Sequence, residues 1–248
     1  MVKRDELIGY INELLNINEF PDDSINGLQV EGKTEIERVI LGVSVSERLF
    51  RAAVERGADL ILVHHGLFWR KAPAPYLLTG LFRTRVALLI KNDINLAAYH
   101  LPLDAHAELG NNAQILKRLA IDPIKPIEVG YLGRLRNPIA IEKWAKIINK
   151  QLETTAQVFA FGPNKVQRVL VISGSSSRFY HLALEHGADT FLGGDMRENV
   201  VREIEEVGLN FIHAGHYNTE KFGIQALGEK LQQEFALRCE FIDIPNPV

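Results

Sequence analysis

The sequence predicts an α/β fold made of two related, interlinked domains with mostly parallel sheets and a cleft between them. Three observations carry this prediction. Apolar runs of strand length alternate with helical patterns, the order that builds βαβ units. RVILGVS at 38–44 recurs as RVLVISG at 168–174, and at the same offset Gly57-Ala58-Asp59 meets Gly187-Ala188-Asp189. Histidines and acids collect where the strands end, the usual place for functional groups in open α/β sheets.

Taken in order, MVKRDELIGYINELL reads as an amphipathic helix, and Asn26-Gly27-Leu28-Gln29 as a loop or turn before the first sheet strand. Residues 38–45 form a buried strand, 46–58 a helix ending at Gly57, and DLILVHH the next strand. The segment 76–92 is mixed but helical in balance. A strand follows from residue 93 through His100, then NAQILKRLA as a helix. APAP at 72–75 reads as an extended surface loop. The tract 121–138 carries Pro123, Pro126 and Pro138 and suits a domain connection. EKWAKIINKQL is helical and AQVFAFG a short strand. The expected domains are 1–125 and 126–248, with the C-terminal segment packing back on the first.

The chain has 248 residues, 46% of them hydrophobic and 24% charged, with a net charge of −3. That composition belongs to a soluble globular protein large enough for a substantial core. It gives no global attraction to nucleic acid or anionic membrane. The single cysteine, Cys239, excludes an intrachain disulfide framework, and any metal site must use histidine and carboxylate. Cys239 reads as a small strand or edge residue rather than a nucleophile. The N-terminal helix lacks the apolar core of a signal peptide, and no stretch has the uncharged length to span a membrane. A cytoplasmic protein is expected. A nucleophile elbow, a Cys/His pair and a dinucleotide fingerprint are all missing from the sequence, which lowers the prior for esterases, thiol enzymes and NAD enzymes.

His64 and His65 end one strand and are followed by Gly66. Under the repeat they meet Gly194 and Asp195. His100…Asp104 and His216…Glu220 close the next strand of each half with the same His-x-x-x-acid spacing. Imidazole and carboxylate suit zinc, iron, manganese or nickel, and the inventory is sufficient for two divalent ions. Each residue also has a plainer reading. A strand histidine is more often a hydrogen-bonded structural residue than a ligand. Asp104 can cap a helix starting near Ala105, and Glu220 can complement a helix dipole with Asn218 as the cap. Neither explains a histidine four residues before the acid in both halves, so metal is the favoured reading. Weaker signals are ISGSSS at 172–177, either an anion-binding turn or an ordinary one, and GGDMREN, a tight turn whose Asp195 can face the cleft. Phe68 and Trp69 read as packing residues or as walls for a flat base. His106, His181 and His186 carry no spacing signal.

NGLQVEG (26–32), GADLILVHHGLFW (57–69), HLPLDAHAELGNNAQ (100–114) and GHYNTEKFGIQAL (215–227) together resemble the YbgI-like, NIF-three-like proteins, a family catalogued as GTP cyclohydrolase I type 2 homologues. The resemblance spans nearly the whole chain in motif order. It is nearest to the short bacterial branch, which has no domain inserted between the halves. It implies two interlinked α/β domains, a dinuclear metal centre and a homo-oligomer, typically a hexameric ring. By motif, His64 and His65 would each serve a different ion, with Asp104, His216 and a bridging Glu220 as the remaining ligands. His100 is carried over only as a nearby or second-shell group. Many relatives place a histidine shortly after the acid matching Asp195, whereas this chain has Asn199.

The resemblance implies a metal-dependent hydrolase, with a small-molecule substrate of the nucleotide kind and a GTP cyclohydrolase-like ring opening. His100 or Asp195 would then shuttle protons or support the centre from the second shell. Two rivals are a non-enzymatic role in metal storage, delivery or regulatory scaffolding, and a ring that binds nucleic acid. An open coordination position favours hydrolysis and saturated coordination favours structure or storage, while salt-dependent affinity for DNA or RNA favours the third.

Overall fold

The computed structural model describes residues 1–71 and 76–247, so the APAP loop lies outside the described residues. Its chain divides into two units. One comprises Met1–Leu103 with Ile224–Ile244, and the other Asp104–Gly223 with 245–247.

In the first unit, β1 (Val2–Lys3) leads into α1 (Arg4–Leu14), and β2 (Gly27–Val30) and β3 (Glu35–Ile36) precede β4 (Arg38–Ser44). Then come α2 (Glu47–Glu55), β5 (Leu60–His65), α3 (Gly80–Lys91) and β6 (Asn95–Ala98). The five-residue α4 (Leu101–Ala105) crosses the division between units, and β13 (Arg238–Phe241) completes the sheet near the C-terminus. Strand order is β13-β4-β5-β6-β2, parallel except for the β2–β6 pair. β4 and β5 are buried almost throughout because helices cover the sheet: Leu49, Phe50 and Ala53 of α2 and Leu89 of α3 pack on Ile40, Ile61 and Val63. The α2 boundary is set by Ser46, whose side chain accepts from the Leu49 amide.

The second unit runs α5 (Asn111–Arg118), β7 (Ile121–Ile127), β8 (Gly130–Ala140), α6 (Ile141–Leu152), β9 (Gln157–Phe159) and β10 (Lys165–Ile172). A 3-10 turn at Ser177–Phe179 then leads into α7 (Tyr180–Glu185), β11 (Thr190–Gly193), α8 (Glu198–Val207), β12 (Asn210–His213) and α9 (His216–Phe235), whose C-terminal part belongs to the first unit. The order is β7-β8-β10-β11-β12-β9. This sheet is mixed rather than mostly parallel: only β10–β11 and β11–β12 are parallel pairs.

Two expectations need correction. The 121–138 tract is not a connection but an antiparallel hairpin, β7 and β8. Pro123 and Pro126 are tolerated because β7 is an edge strand with a register shift between Pro123 and Lys125, and Pro138 lies in β8 beyond its last β7 pair, Ile121 with Leu135, where the β8–β10 register is also irregular. Residues 27–30 are not a loop but strand β2, which starts at Gly27 with a left-handed φ of 99° and pairs with β6.

The repeat extends well beyond the apolar runs. Asp59 Oδ2 accepts from the Glu37 and Arg38 amides, and Asp189 Oδ2 from those of Gln167 and Arg168. Arg38 donates to the Arg56 carbonyl as Arg168 does to that of His186. Asn95 accepts from Gly32 N and donates to the Lys33 carbonyl. Asn210 does the same with Gly162 and Pro163. Each aspartate of the Gly-Ala-Asp motif therefore fixes the start of the neighbouring strand by accepting backbone N–H groups that the ladder leaves over. β2, β4, β5 and β6 correspond to β9, β10, β11 and β12 in both order and direction.

Cys239 lies in the edge strand β13, and burial pushes its thiol up to about 11. At pH 8 only about one thiol in a thousand is then ionised, so maleimide labelling of the folded protein is expected to be slow and to accelerate on unfolding. Labelling as fast as that of a free thiol would contradict this.

Candidate metal centre

Strand β5 continues through both histidines, with His65 in register with Ser44. Alternation should send the two rings apart, yet their centroids lie 4.6 Å from each other at the strand's C-terminal end. His100, just past β6, brings a third ring to 5.0 Å from His64 and 5.4 Å from His65. One nitrogen of each ring lies within 4.8 Å of the others. Local bonds explain the convergence. His64 is fully buried and its Nδ1 donates to the Tyr99 carbonyl at 2.9 Å. Nδ1 of His65 is 2.9 Å from Ser44 Oγ. Nδ1 of His100 donates to Asp22 Oδ1 at 2.9 Å. With Nδ1 protonated on His64 and His100, the neutral rings carry the lone pair on Nε2, the tautomer a metal-ligating imidazole needs. Gly66 is required next: a Cβ there would lie 2.4 Å from Gln29 Oε1 and 2.6 Å from Ala98 Cβ. Gln29 Oε1 in turn accepts from the Leu67 amide, so the Asn-Gly-Leu-Gln segment holds the turn after the histidines. The Trp69 ring stands edge-on to His100 at 5.1 Å.

In the second unit, His216 opens α9 and Glu220 lies one turn on, with His216 Nε2 and Glu220 Oε2 2.8 Å apart. Glu220 and Asp104 are almost fully buried, at 3% and 2% exposed. Asp104 Oδ1 accepts from Asn111 Nδ2 at 2.8 Å and from Ser173 Oγ at 3.2 Å, so it serves as an anchored acceptor and not as the cap of a following helix. Asn111 Oδ1 accepts from Gly223 N, which ties α5 to the Glu220 turn of α9. Asn112 Oδ1 accepts from Ser173 N. Asn218 is not a cap either: its Nδ2 donates to the Leu152 and Glu153 carbonyls. Pro102 sits inside the first turn of α4, where proline is tolerated, and His100 immediately precedes that turn.

The serine loop after β10 is not an open anion cradle. Asp195 takes its donors, with Ser175 Oγ at 2.7 Å on Oδ2 and the Ser177 amide at 2.9 Å on Oδ1. Asp195 thereby pins the loop that carries Gly174 against Glu220. Asn199, in α8, donates to Glu203 one turn on at 3.3 Å. His106 is structural: its Nδ1 accepts from the Glu108 and Leu109 amides, and burial lowers its pKa. His186 Nδ1 lies 3.2 Å from Lys125 Nζ, and His181 is exposed on α7.

Sequence reading singled out the ligand-type residues but missed Asp22, and it held Asn111, Asn112, Ser173 and Gly174 only within longer runs, without the roles they have here. Asp22 carried no signal, since an acid in a polar loop looks solvated. Burial pushes its carboxyl up, but the hydrogen bond and charge of His100, with Asn26 and the Ser24 amide, outweigh this and hold it down at about 2. The Asn111-Asn112 pair was legible only as part of a longer motif.

The donor chemistry of each unit fits a divalent ion: lone pairs on Nε2 in the first, buried carboxylates with an imidazole in the second. The class so defined is an α/β protein with a duplicated strand pattern and metal-suited groups at its strand ends. Residues 2–247 match the model of the Duf34/NIF3 (NGG1p interacting factor 3) family, and the chain belongs to that family. It is 42% identical over 248 residues to a Haemophilus influenzae protein named GTP cyclohydrolase 1 type 2 homolog, covering 98% of both chains. The Escherichia coli K12 protein of the same name is 42% identical, covering 99% of this chain and 100% of that one. Among solved structures, protein ybgI superposes with a TM-score of 0.96 at 41% identity, and TTHA1606 from Thermus thermophilus with 0.92 at 37%, each covering 100% of both chains. No helix among the described residues is long and apolar enough to cross a membrane.

Proposed function

We propose that this protein is a metal-dependent hydrolase whose dinuclear centre is held by His64, His65, Asp104, His216 and Glu220. The observation that carries the reading is the tautomer set at the histidine cluster, where protein acceptors hold the Nδ1 protons of His64 and His100 and Nε2 keeps the lone pair. The repeat supports this reading, since His100 and Asp104 follow β6 and His216 and Glu220 follow the corresponding β12. Two divalent ions would supply Lewis acidity and a water made acidic enough to attack. The chain's own part is to bind and orient. His64 and His65 would each hold an ion, and Glu220, buried and fixed by its helix turn, would hold them together with Asp104 and His216. His100 takes up or returns a proton at Nε2. Asp195 acts on Gly174 through the serine loop. The relatives' name, GTP cyclohydrolase 1 type 2 homolog, supports a guanine nucleotide as the substrate to try first. A hexameric ring is the assembly proposed, and sedimentation of the purified protein tests it.

The test of the centre is metal analysis of protein purified without chelator, followed by a hydrolase panel with and without GTP. About two ions per chain are expected, the stoichiometry of a two-metal site. Asp104→Ala and Glu220→Ala should fold and lose metal. Full occupancy in both variants would remove these residues as ligands. A fully loaded protein inert across the panel would remove the hydrolase reading and leave the metal site standing.

A further inference from the structure

The loop before β2 makes an unusually complete set of bonds to the segment that carries His100. The Asp22 side chain is 3% exposed and uses both oxygens. Oδ1 accepts from His100 Nδ1 and from Ser24 N, each at 2.9 Å. Oδ2 accepts from Asn26 Nδ2 at 2.9 Å and from Leu101 N at 3.0 Å. Asn26 closes the ring of bonds by accepting from the His100 amide at 2.7 Å. His100 is therefore gripped at its backbone by Asn26, at the next amide by Asp22, and at its ring by Asp22 again. The His64 and His65 rings lie 5.0 and 5.4 Å from that ring, with Trp69 edge-on at 5.1 Å. A carboxylate only accepts, so its partner nitrogen must carry a proton, and in the neutral imidazole the other nitrogen then carries the lone pair.

We propose that Asp22 is a positioning residue for the metal centre: it locks His100 as the Nδ1–H tautomer and turns the Nε2 lone pair toward His64 and His65. The assignment rests on the metal-centre reading for its purpose, but not for its geometry. Asparagine in place of Asp22 keeps the size and a carbonyl acceptor but halves the acceptor capacity and adds an N–H₂ donor. It cannot satisfy His100, Ser24, Asn26 and Leu101 together. Outer partners of this kind change metal affinity by roughly 10–100-fold when removed.

Two measurements decide the matter. Long-range proton–nitrogen spectra of metal-free protein at about pH 8, above the usual histidine range, should give His100 a protonated Nδ1 and an unprotonated Nε2. Asp22→Asn should mix the two tautomers and Asp22→Glu should restore at least part of the original signature. Zinc competition against a chromophoric chelator should find at least one ion held about 10-fold more weakly in Asp22→Asn. The loss should vanish in a His100→Gln background, because Asp22 acts through His100. The assignment is overturned by an Nε2–H tautomer in the unaltered protein, or by an equal zinc loss with and without His100. If the unaltered protein binds no zinc, the metal-centre reading falls, and the metal-free spectra still decide the tautomer assignment.

Discussion

Alanine at position 174 is expected to weaken zinc binding by at least about 100-fold, the equivalent of about 2.7 kcal/mol, and to destabilise the fold. Gly174 has a φ of 63°, and a Cβ there would sit 2.0 Å from Glu220 Oε1, 3.0 Å from Glu220 Cδ and 3.4 Å from His216 Nε2. The left-handed backbone alone costs an alanine roughly 1–2 kcal/mol. The clash adds to it, because Glu220 is buried and must abandon its position beside His216 to make room. Displacing a buried carboxylate from its partners costs about 1–3 kcal/mol, so urea unfolding should register a loss of about 3 kcal/mol or more. Gly187 is the control. Its φ is also 63°, but an added Cβ would meet nothing within 4 Å. Gly187→Ala should cost about 1 kcal/mol and leave zinc affinity alone. Equal behaviour of the two variants would mean that Gly174 serves only the turn and not the site.

The second large effect is expected at Asn111, which is fully buried between Asp104 and Gly223. Asn111→Ala removes the donor to a buried carboxylate and the acceptor for a buried amide at once. At roughly 1–3 kcal/mol for each deprived group, a loss on the order of 4 kcal/mol follows. Asn111→Asp gives a sharper test because its effect depends on pH. Two carboxylates would share one buried space, so one of them would titrate above its unfolded value. A raised carboxyl pKa means that the folded state holds the extra proton. The variant should therefore be closest to the parent below about pH 4 and lose ground as pH rises through the raised value. Urea midpoints across pH decide this, and a pH-independent penalty would place Asp104 away from the new carboxylate.

Much of the fold was legible because the signals were local. Apolar runs gave β4, β5, β6 and β10 to within a few residues, and Ser46 marked the start of α2. The repeated Gly-Ala-Asp exposed the duplication, since its aspartates serve the same backbone amides in both halves. Proline misled at 123 and 126, where an edge strand spares the missing N–H, and the Asn26-Gly27-Leu28-Gln29 run was read as a turn although β2 begins at Gly27. At the candidate site, imidazole and carboxylate at strand ends were readable as ligand types. The groups that orient them were not, because Asp22 and Asn111 look like any loop acid and helix-start asparagine until their partners are known.

The sequence by itself determined the α/β class, the internal repeat and the kind of donor at each strand end, since residue type and spacing fix these. Tertiary structure decided which nitrogen each histidine presents and why Gly174 can be nothing larger. It also decided that adjacent histidines on one strand bring their rings to 4.6 Å. The reason is that hydrogen bonds settle those matters, and their partners come from distant parts of the chain. Asp22 is 78 residues from His100, and Ser173 is 69 from Asp104. No local pattern encodes such pairs. They exist only once each sheet has brought its strand ends and the loops beside them together.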